Sequence, residues 1–248
     1  MLKMPSIISD TSTMNTTAGR QAVKEKAARQ GMLSAICLLP LLLCIVLVSC
    51  APKKAVVVPT QEGVPLEKAL SDLRQVKTLE ATLSVDYERG DTIMSGDAGL
   101  TLSDAALNLR LYYLGFLAGE LKEENGTITV SKPRLDKNRS TLLAQGLRNG
   151  FFWWNIKDYA ITEDQEQYVL RNKNREILVS KKLMLPTQQS IRLENGDELI
   201  ITYDMPDQIE EAERIPGSPA WLQYYQSQMK IELKRYLVKV KVKSYVVK

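Results

Sequence analysis

The chain has 248 residues, with 33 Lys and Arg against 29 Asp and Glu for a formal charge of +4, and no histidine. The missing histidine removes the commonest general base and the commonest metal ligand together. Lys3, Arg20, Lys24, Lys26 and Arg29 hold most of the basic surplus near the N-terminus, so the remainder is close to neutral and gives no electrostatic case for nucleic acid.

In chain order, the basic flank from Arg20 to Arg29 precedes an almost wholly apolar run, residues 32–49. The run closes on Leu47-Val48-Ser49-Cys50, which reads as a lipobox. A bacterial signal peptidase would cut between Ser49 and Cys50, and the new N-terminal cysteine would carry lipid. A retained membrane helix is the competing reading, because the run is at the lower edge of spanning length. Against it, no basic stop-transfer block precedes Cys50, and no interfacial aromatic ends the run. Met14 and Met32 are alternative starts, although Met32 would discard the basic flank.

Cys37 and Cys44 leave with the leader, so Cys50 is the only cysteine of the mature chain and no intramolecular disulfide can form. Acyl chains on Cys50 contribute about 0.8 kcal/mol per buried methylene, enough for near-permanent anchoring when several are attached. They also consume the thiolate. Ala51, where an aspartate would retain the protein at the inner membrane by enterobacterial sorting rules, favours the periplasmic face of the outer membrane of a Gram-negative cell. Residues 1–49 are thus expected to be a lipoprotein signal peptide. Residues 50–64, with Pro52, Lys53, Lys54 and Pro59, are expected to be a tether, and residues 65–248 one domain.

Residues 65–78 read as a helix: Leu66, Ala69, Leu70, Leu73 and Val76 follow three-and-four spacing, and Pro65 suits a first turn. Residues 78–88 then alternate, with Leu79, Ala81, Leu83, Val85 and Tyr87 facing one way and charged or hydroxyl residues the other. Asp86 and Glu88 are therefore solvated strand residues and no carboxylate pair for chemistry. Ala98, Leu100 and Leu102 repeat the pattern, as do Leu107, Leu109, Leu111 and Tyr113. Asn125-Gly126 signals a hairpin between residues 120–122 and 128–130. Residues 140–149 read as a short helix ended by Gly150, with Leu142, Leu143 and Leu147 on its apolar side.

Phe151-Phe152-Trp153-Trp154 follow at once, suited either to lining a cavity or to a helix–sheet seam. Strands resume at 168–170 and 177–179, then at 190–194 and 198–203 about Asn195-Gly196-Asp197. Residues 205–228, with Pro206, Pro216 and Pro219, read as a long connection. Residues 229–247 are strand-like, with a parity shift near Lys234-Arg235 that implies a bulge or a turn. Lys239, Lys241 and Lys243 alternate there with valines. Lysines guarding an edge strand are the favoured reading, and a basic stripe toward lipid headgroups the alternative.

Eight to eleven one-sided strands with two helices predict an α+β fold, a curved antiparallel sheet forming an incomplete β-barrel under a helical lid. The two helices are short for so large an inner face. Either the sheet curls onto itself, or part of that face stays open to a ligand.

These stretches, in this order, resemble the LolA and LolB superfamily of bacterial lipoprotein carriers. Residues 65–87 resemble its first helix and strand, Gly99-Leu100-Thr101-Leu102 and residues 107–115 its next strand pair. Residues 140–154 resemble the lid helix, and residues 185–203 the late hairpin. The resemblance implies an acyl-binding cavity lined by Leu83, Val85, Leu100, Leu109, Leu111 and Tyr113. Leu143, Leu147, Phe151 and Trp153 would belong to the lid.

Because the chain is itself lipidated, it is closer in character to the anchored acceptor, LolB. Leu114, Phe116 and Leu117 then form a candidate membrane-inserting loop; the competing reading continues Phe116 and Leu117 into the core. The expected role is acceptance or transfer of acyl chains of lipoproteins or lipids, with a soluble periplasmic carrier as a candidate partner. No catalytic residue, metal or cofactor is expected. A non-carrier assembly lipoprotein that holds a protein partner is the alternative.

Overall fold

The computed structural model describes residues 59–60, 63–131 and 137–248. The expected signal peptide, the expected Ser49–Cys50 cleavage site and most of the expected tether lie outside the described residues. Residues 55–248 form one compact unit.

Helix α1 (Leu66–Leu73) starts after Pro65, whose φ of −64° is preset for entry, and buries Leu66, Ala69, Leu70 and Leu73. It stops short of the expected residue 78. The amides of Lys77 and Thr78 instead bond to Lys248 O, which pulls the chain into a strand beside the C-terminus.

Five strands follow: β1 (Thr78–Arg89), β2 (Thr92–Ser103), β3 (Ala106–Tyr113), β4 (Phe116–Glu124) and β5 (Thr127–Ser131). Helix α2 (Lys137–Phe151) comes next. Then come β6 (Ala160–Glu163), β7 (Gln167–Arg171), β8 (Arg175–Ser180), β9 (Pro186–Arg192), β10 (Glu198–Gln208), β11 (Tyr224–Leu233) and β12 (Tyr236–Val247).

All twelve strands form one antiparallel sheet in the order β5-β4-β3-β2-β1-β12-β11-β10-β9-β8-β7-β6. The first and last strands pair at its centre, while β5 and β6 are free edges, so the sheet does not close. The chain passes from one edge to the other through α2, which crosses the concave face. The expected architecture is therefore present, with one strand more than the upper count.

Several expectations need correction. Strand β12 is central and guards no edge. Val238, Val240 and Val242 are buried inward, and the lysines between them face solvent, with Lys239 Nζ donating to Glu88 at 2.6 Å. The Lys234-Arg235 parity shift is the β11–β12 turn, with Lys234 at φ 57°. A register shift between Thr82 and Leu83 adds a bulge in β12 at Lys243, which returns Tyr245 and Val247 to the core. Residues 205–228 are not one connection. Strand β10 runs on past Pro206, where β9 no longer pairs with it, and β11 begins at Tyr224.

Gly150 does not end α2 but sits buried within it. A Cβ there would lie 2.9 Å from Met229 Sδ, and one at Gly146 would lie 2.5 Å from Ile231 Cγ2. The two glycines let the helix backbone approach the sheet. Methionine can swing aside, but β-branched Ile231 is stiff at χ1. Gly146→Ala is therefore expected to destabilise by about 1–3 kcal/mol despite alanine's better helix propensity. Urea unfolding of the variant against wild type measures this.

Candidate functional site

The concave face is covered by α2, the aromatic run after it, and Met184. Leu142, Leu143, Leu147, Phe151, Phe152 and Trp153 are all buried against the sheet. Leu143, Leu147, Phe151 and Trp153, the residues expected in a lid, thus belong to α2 and the turn after it.

Two arginines fasten this cover. Arg148 Nε donates to Glu123 at 2.7 Å, and its Nη1 donates to Ser103 O at 2.8 Å. Arg175, buried at the start of β8, has no carboxylate partner among its hydrogen bonds. Its Nη2 donates to Asn149 O and Trp153 O, both at 3.2 Å, and its Nη1 to Asn155 O at 3.3 Å. These are the last carbonyls of α2 and of the turn beyond it, acceptors that a helix end leaves unpaired and that favour a cation. Arg175 Nε donates to Gln189 Oε1 at 2.8 Å, and Gln189 Nε2 donates to Asn149 O at 2.9 Å. The Tyr203 hydroxyl donates to Gly150 O at 3.0 Å.

Burial pulls the Arg175 guanidinium down to about 10, so it keeps its charge at neutral pH. Burial raises Tyr203 against the opposing pull of Arg175, and raises Tyr245 as well. Tyr225 is pushed up to about 12, first by burial and then by Asp207, Glu210 and Glu213. Unfolded tyrosines ionise near 10, so above that pH the folded chain holds protons that the unfolded one releases. Stability present below pH 10 is then lost as pH climbs toward 12. Arg175 acts in the opposite sense over this window, one group against three. The urea midpoint is expected to be flat from pH 7 to 9 and lower by pH 11.

A cavity lies between the end of α2, Met184 to Pro186, the turn at Trp221-Leu222 and the start of β11. Its wall is aromatic and thioether: Phe151, Trp153, Trp154, Tyr225, Tyr245 and Met229. Tyr225 and Tyr245 stack at 4.4 Å. The cavity's volume is about 30 Å³, room for a water and far below the few hundred Å³ of a small-molecule site. In this state the hollow is filled by the protein's own side chains.

The six residues expected to line a cavity are not in this wall. Leu83, Val85, Leu100 and Leu109 are buried in continuous core, and Leu111 is half-buried against it. Tyr113 lies on the expected face but beyond the reach of α2, and is exposed. The wall forms instead around Val247 and Tyr245, at the end of the sheet where β1 begins and β12 ends.

The opposite end carries the turns β1–β2 and β3–β4, side by side through the β2–β3 pairing. Ile93, Met94, Tyr113, Leu114, Phe116 and Leu117 cluster there, each between 59% and 80% exposed. They are six of the eight large exposed apolar side chains among the described residues. Successive strand residues point to opposite faces, so exposure of both Phe116 and Leu117, and of both Ile93 and Met94, means that both ribbons project past the body.

Leu114 and Gly115 form the β3–β4 turn at φ 50° and 81°, nearly the angles of Asn125-Gly126 in the β4–β5 turn. Leucine thus occupies a left-handed position that asparagine takes more comfortably. Arg89 and Arg235 flank the tips, each with its guanidinium over the Tyr236 ring.

Sequence reasoning marked Leu114, Phe116 and Leu117 as a candidate loop but favoured the core for Phe116 and Leu117; the two do continue into strand β4, yet both are exposed. It missed Ile93 and Met94, which break no alternation. It also missed Arg175 and Gln189, whose inward parity looks like a fault in an apolar pattern. Arg175 shares strand parity with buried Ile177 and Val179, and Gln189 with Ile191.

No family model matches the chain, and no match was found among curated proteins. Among solved structures, a LolA superfamily protein from Nitrosomonas europaea is similar over 75% of this chain and 94% of that one, at 8% identity and a TM-score of 0.49. A DUF1329 family protein from Desulfovibrio piger covers 77% of this chain and 94% of its own, at 10% identity and a TM-score of 0.44. A domain described as an outer membrane lipoprotein-sorting protein from Vibrio parahaemolyticus covers 74% and 92%, at 11% identity and a TM-score of 0.43.

Proposed function

We propose that this protein is a lipid-anchored outer-membrane protein that works against a bilayer and handles acyl chains of lipoproteins or lipids, without covalent chemistry. The carrying observation is the doubled apolar tip, whose six side chains are mostly exposed. A bilayer surface suits them: apolar side chains enter the acyl region while Arg89 and Arg235 stay at headgroup level. The cavity sits at the far end of β1, about 35 Å away at strand rise. Residues 50–63 fully extended reach at most about 50 Å, so a lipid on Cys50 and inserted tips are compatible.

Acyl uptake requires the α2–Trp154 segment to lift, since the hollow holds only a water's volume. That small volume is also the observation favouring a second reading, a scaffold that binds a protein partner through the same fold. Native mass spectrometry of residues 55–248, with and without added phospholipid or triacylated lipopeptide, separates the two. A bound acyl species at one-to-one stoichiometry is expected; none at any ligand concentration leaves the scaffold.

A further inference from the structure

Two polar atoms in the wall of the aromatic cavity lack a hydrogen-bond partner among the described residues. One is Trp221 Nε1, a donor, and the other is Gln226 Oε1, an acceptor. Gln226 is only 8% exposed, and its Nε2 donates to Pro186 O at 2.9 Å. That bond fixes which way the amide points, so the unpaired atom is the oxygen. An unsatisfied buried polar atom costs about 1–3 kcal/mol, and a native fold seldom keeps two in one wall without an occupant that answers them.

The required occupant presents an acceptor to Trp221 Nε1 and a donor to Gln226 Oε1, attached to something apolar. A secondary amide does so. An ester offers the carbonyl but no N–H, leaving Gln226 Oε1 unpaired. A carboxylate offers only acceptors and a negative charge, in a region where the charges of Asp207, Glu210 and Glu213 already act on Tyr225. Lys68, 5.9 Å over the Trp221 ring, is the cation nearest that side chain among the ring contacts. The rest of the wall suits hydrocarbon, with Met184 and Met229 able to adjust their shape to a chain.

We propose that this cavity takes the amide-linked end of a fatty acyl chain, its carbonyl accepting from Trp221 Nε1 and its N–H donating to Gln226 Oε1. This rests on the acyl-handling reading and narrows it from acyl chains in general to N-acyl groups. The hydrocarbon would lie among Phe151, Trp154 and Tyr245 once the end of α2 moves outward.

The test compares three probes on residues 55–248 by calorimetric titration: N-ethyl dodecanamide, ethyl dodecanoate and dodecanoate. Wild type is expected to bind the amide roughly tenfold tighter than the ester, the worth of one buried hydrogen bond, with dodecanoate weakest. Gln226→Met brings amide and ester within about twofold of each other. Trp221→Phe weakens both by about the same factor, because both carry the carbonyl, and it supports or refutes the donor role even if the Gln226 variant does not fold. Equal affinity of wild type for amide and ester overturns the inference while leaving acyl handling intact; a single bound water then serves both atoms. No binding of any of the three probes overturns both.

Discussion

Phe116→Glu combined with Leu117→Glu is expected to reduce vesicle binding of residues 55–248 roughly a hundredfold while moving the melting temperature by no more than about 2 °C. Each side chain of this size gains about 1.5–3 kcal/mol on leaving water, so losing two removes about 3 kcal/mol or more of partitioning energy. Glutamate adds the penalty of bringing charge to the acyl region. The fold does not depend on these side chains, because both are exposed and an exposed substitution seldom costs more than about 0.5 kcal/mol. Leu109→Glu, in the core two strand turns away, serves as the contrast and unfolds the domain. Anionic vesicles in low salt are expected to bind wild type more tightly than neutral ones, through Arg89 and Arg235. Unchanged flotation of the double variant would remove the membrane from the proposal.

The β3–β4 tip was legible as a candidate because apolar residues stand beside glycine in Leu114-Gly115-Phe116-Leu117, whereas Ile93 and Met94 of the β1–β2 tip carry no such mark. The sheet was legible wherever one face is wet, since alternation records which side meets water, as in Leu79 to Val85 of β1. Three features were not legible, each for a physical reason. The order of strands depends on β1 meeting β12, a pairing between residues far apart in sequence that no local pattern encodes, and so β12 looked like an edge. The volume left inside depends on how side chains interdigitate, and alternation gives only the direction they point. Leu83 and Leu100 face inward as expected, yet the room expected beside them is occupied. The third feature is the cluster beneath the lid. Arg175 and Gln189 sit at inward parity among apolar residues, where they look like errors in the pattern. They are there because a helix ending inside the protein needs donors for its last carbonyls.

That requirement sets the second large effect. Arg175→Met keeps most of the apolar volume but removes every donor to Asn149 O, Trp153 O and Asn155 O that the guanidinium supplies, and strands Gln189 Oε1. Gln189 Nε2 still reaches Asn149 O, so that carbonyl keeps one bond and the others lose theirs. At about 1–3 kcal/mol for each buried acceptor left unpaired, the expected loss is about 3–5 kcal/mol, or a melting temperature lower by on the order of 10 °C for a unit of this size. The damage is local in origin. The freed carbonyls all belong to the end of α2 and the aromatic turn, whereas Arg148 still ties the helix to Glu123 and the β2–β3 turn. Amide hydrogen exchange should therefore rise most in residues 149–156 and least in β1 and β12, which pair at the sheet centre. If acyl chains enter by lifting that same segment, the variant takes up lipid faster than wild type at a temperature where both remain folded. Uniform loss of protection across the sheet, with no gain in uptake, would mean that Arg175 holds the fold together and has no part in opening it.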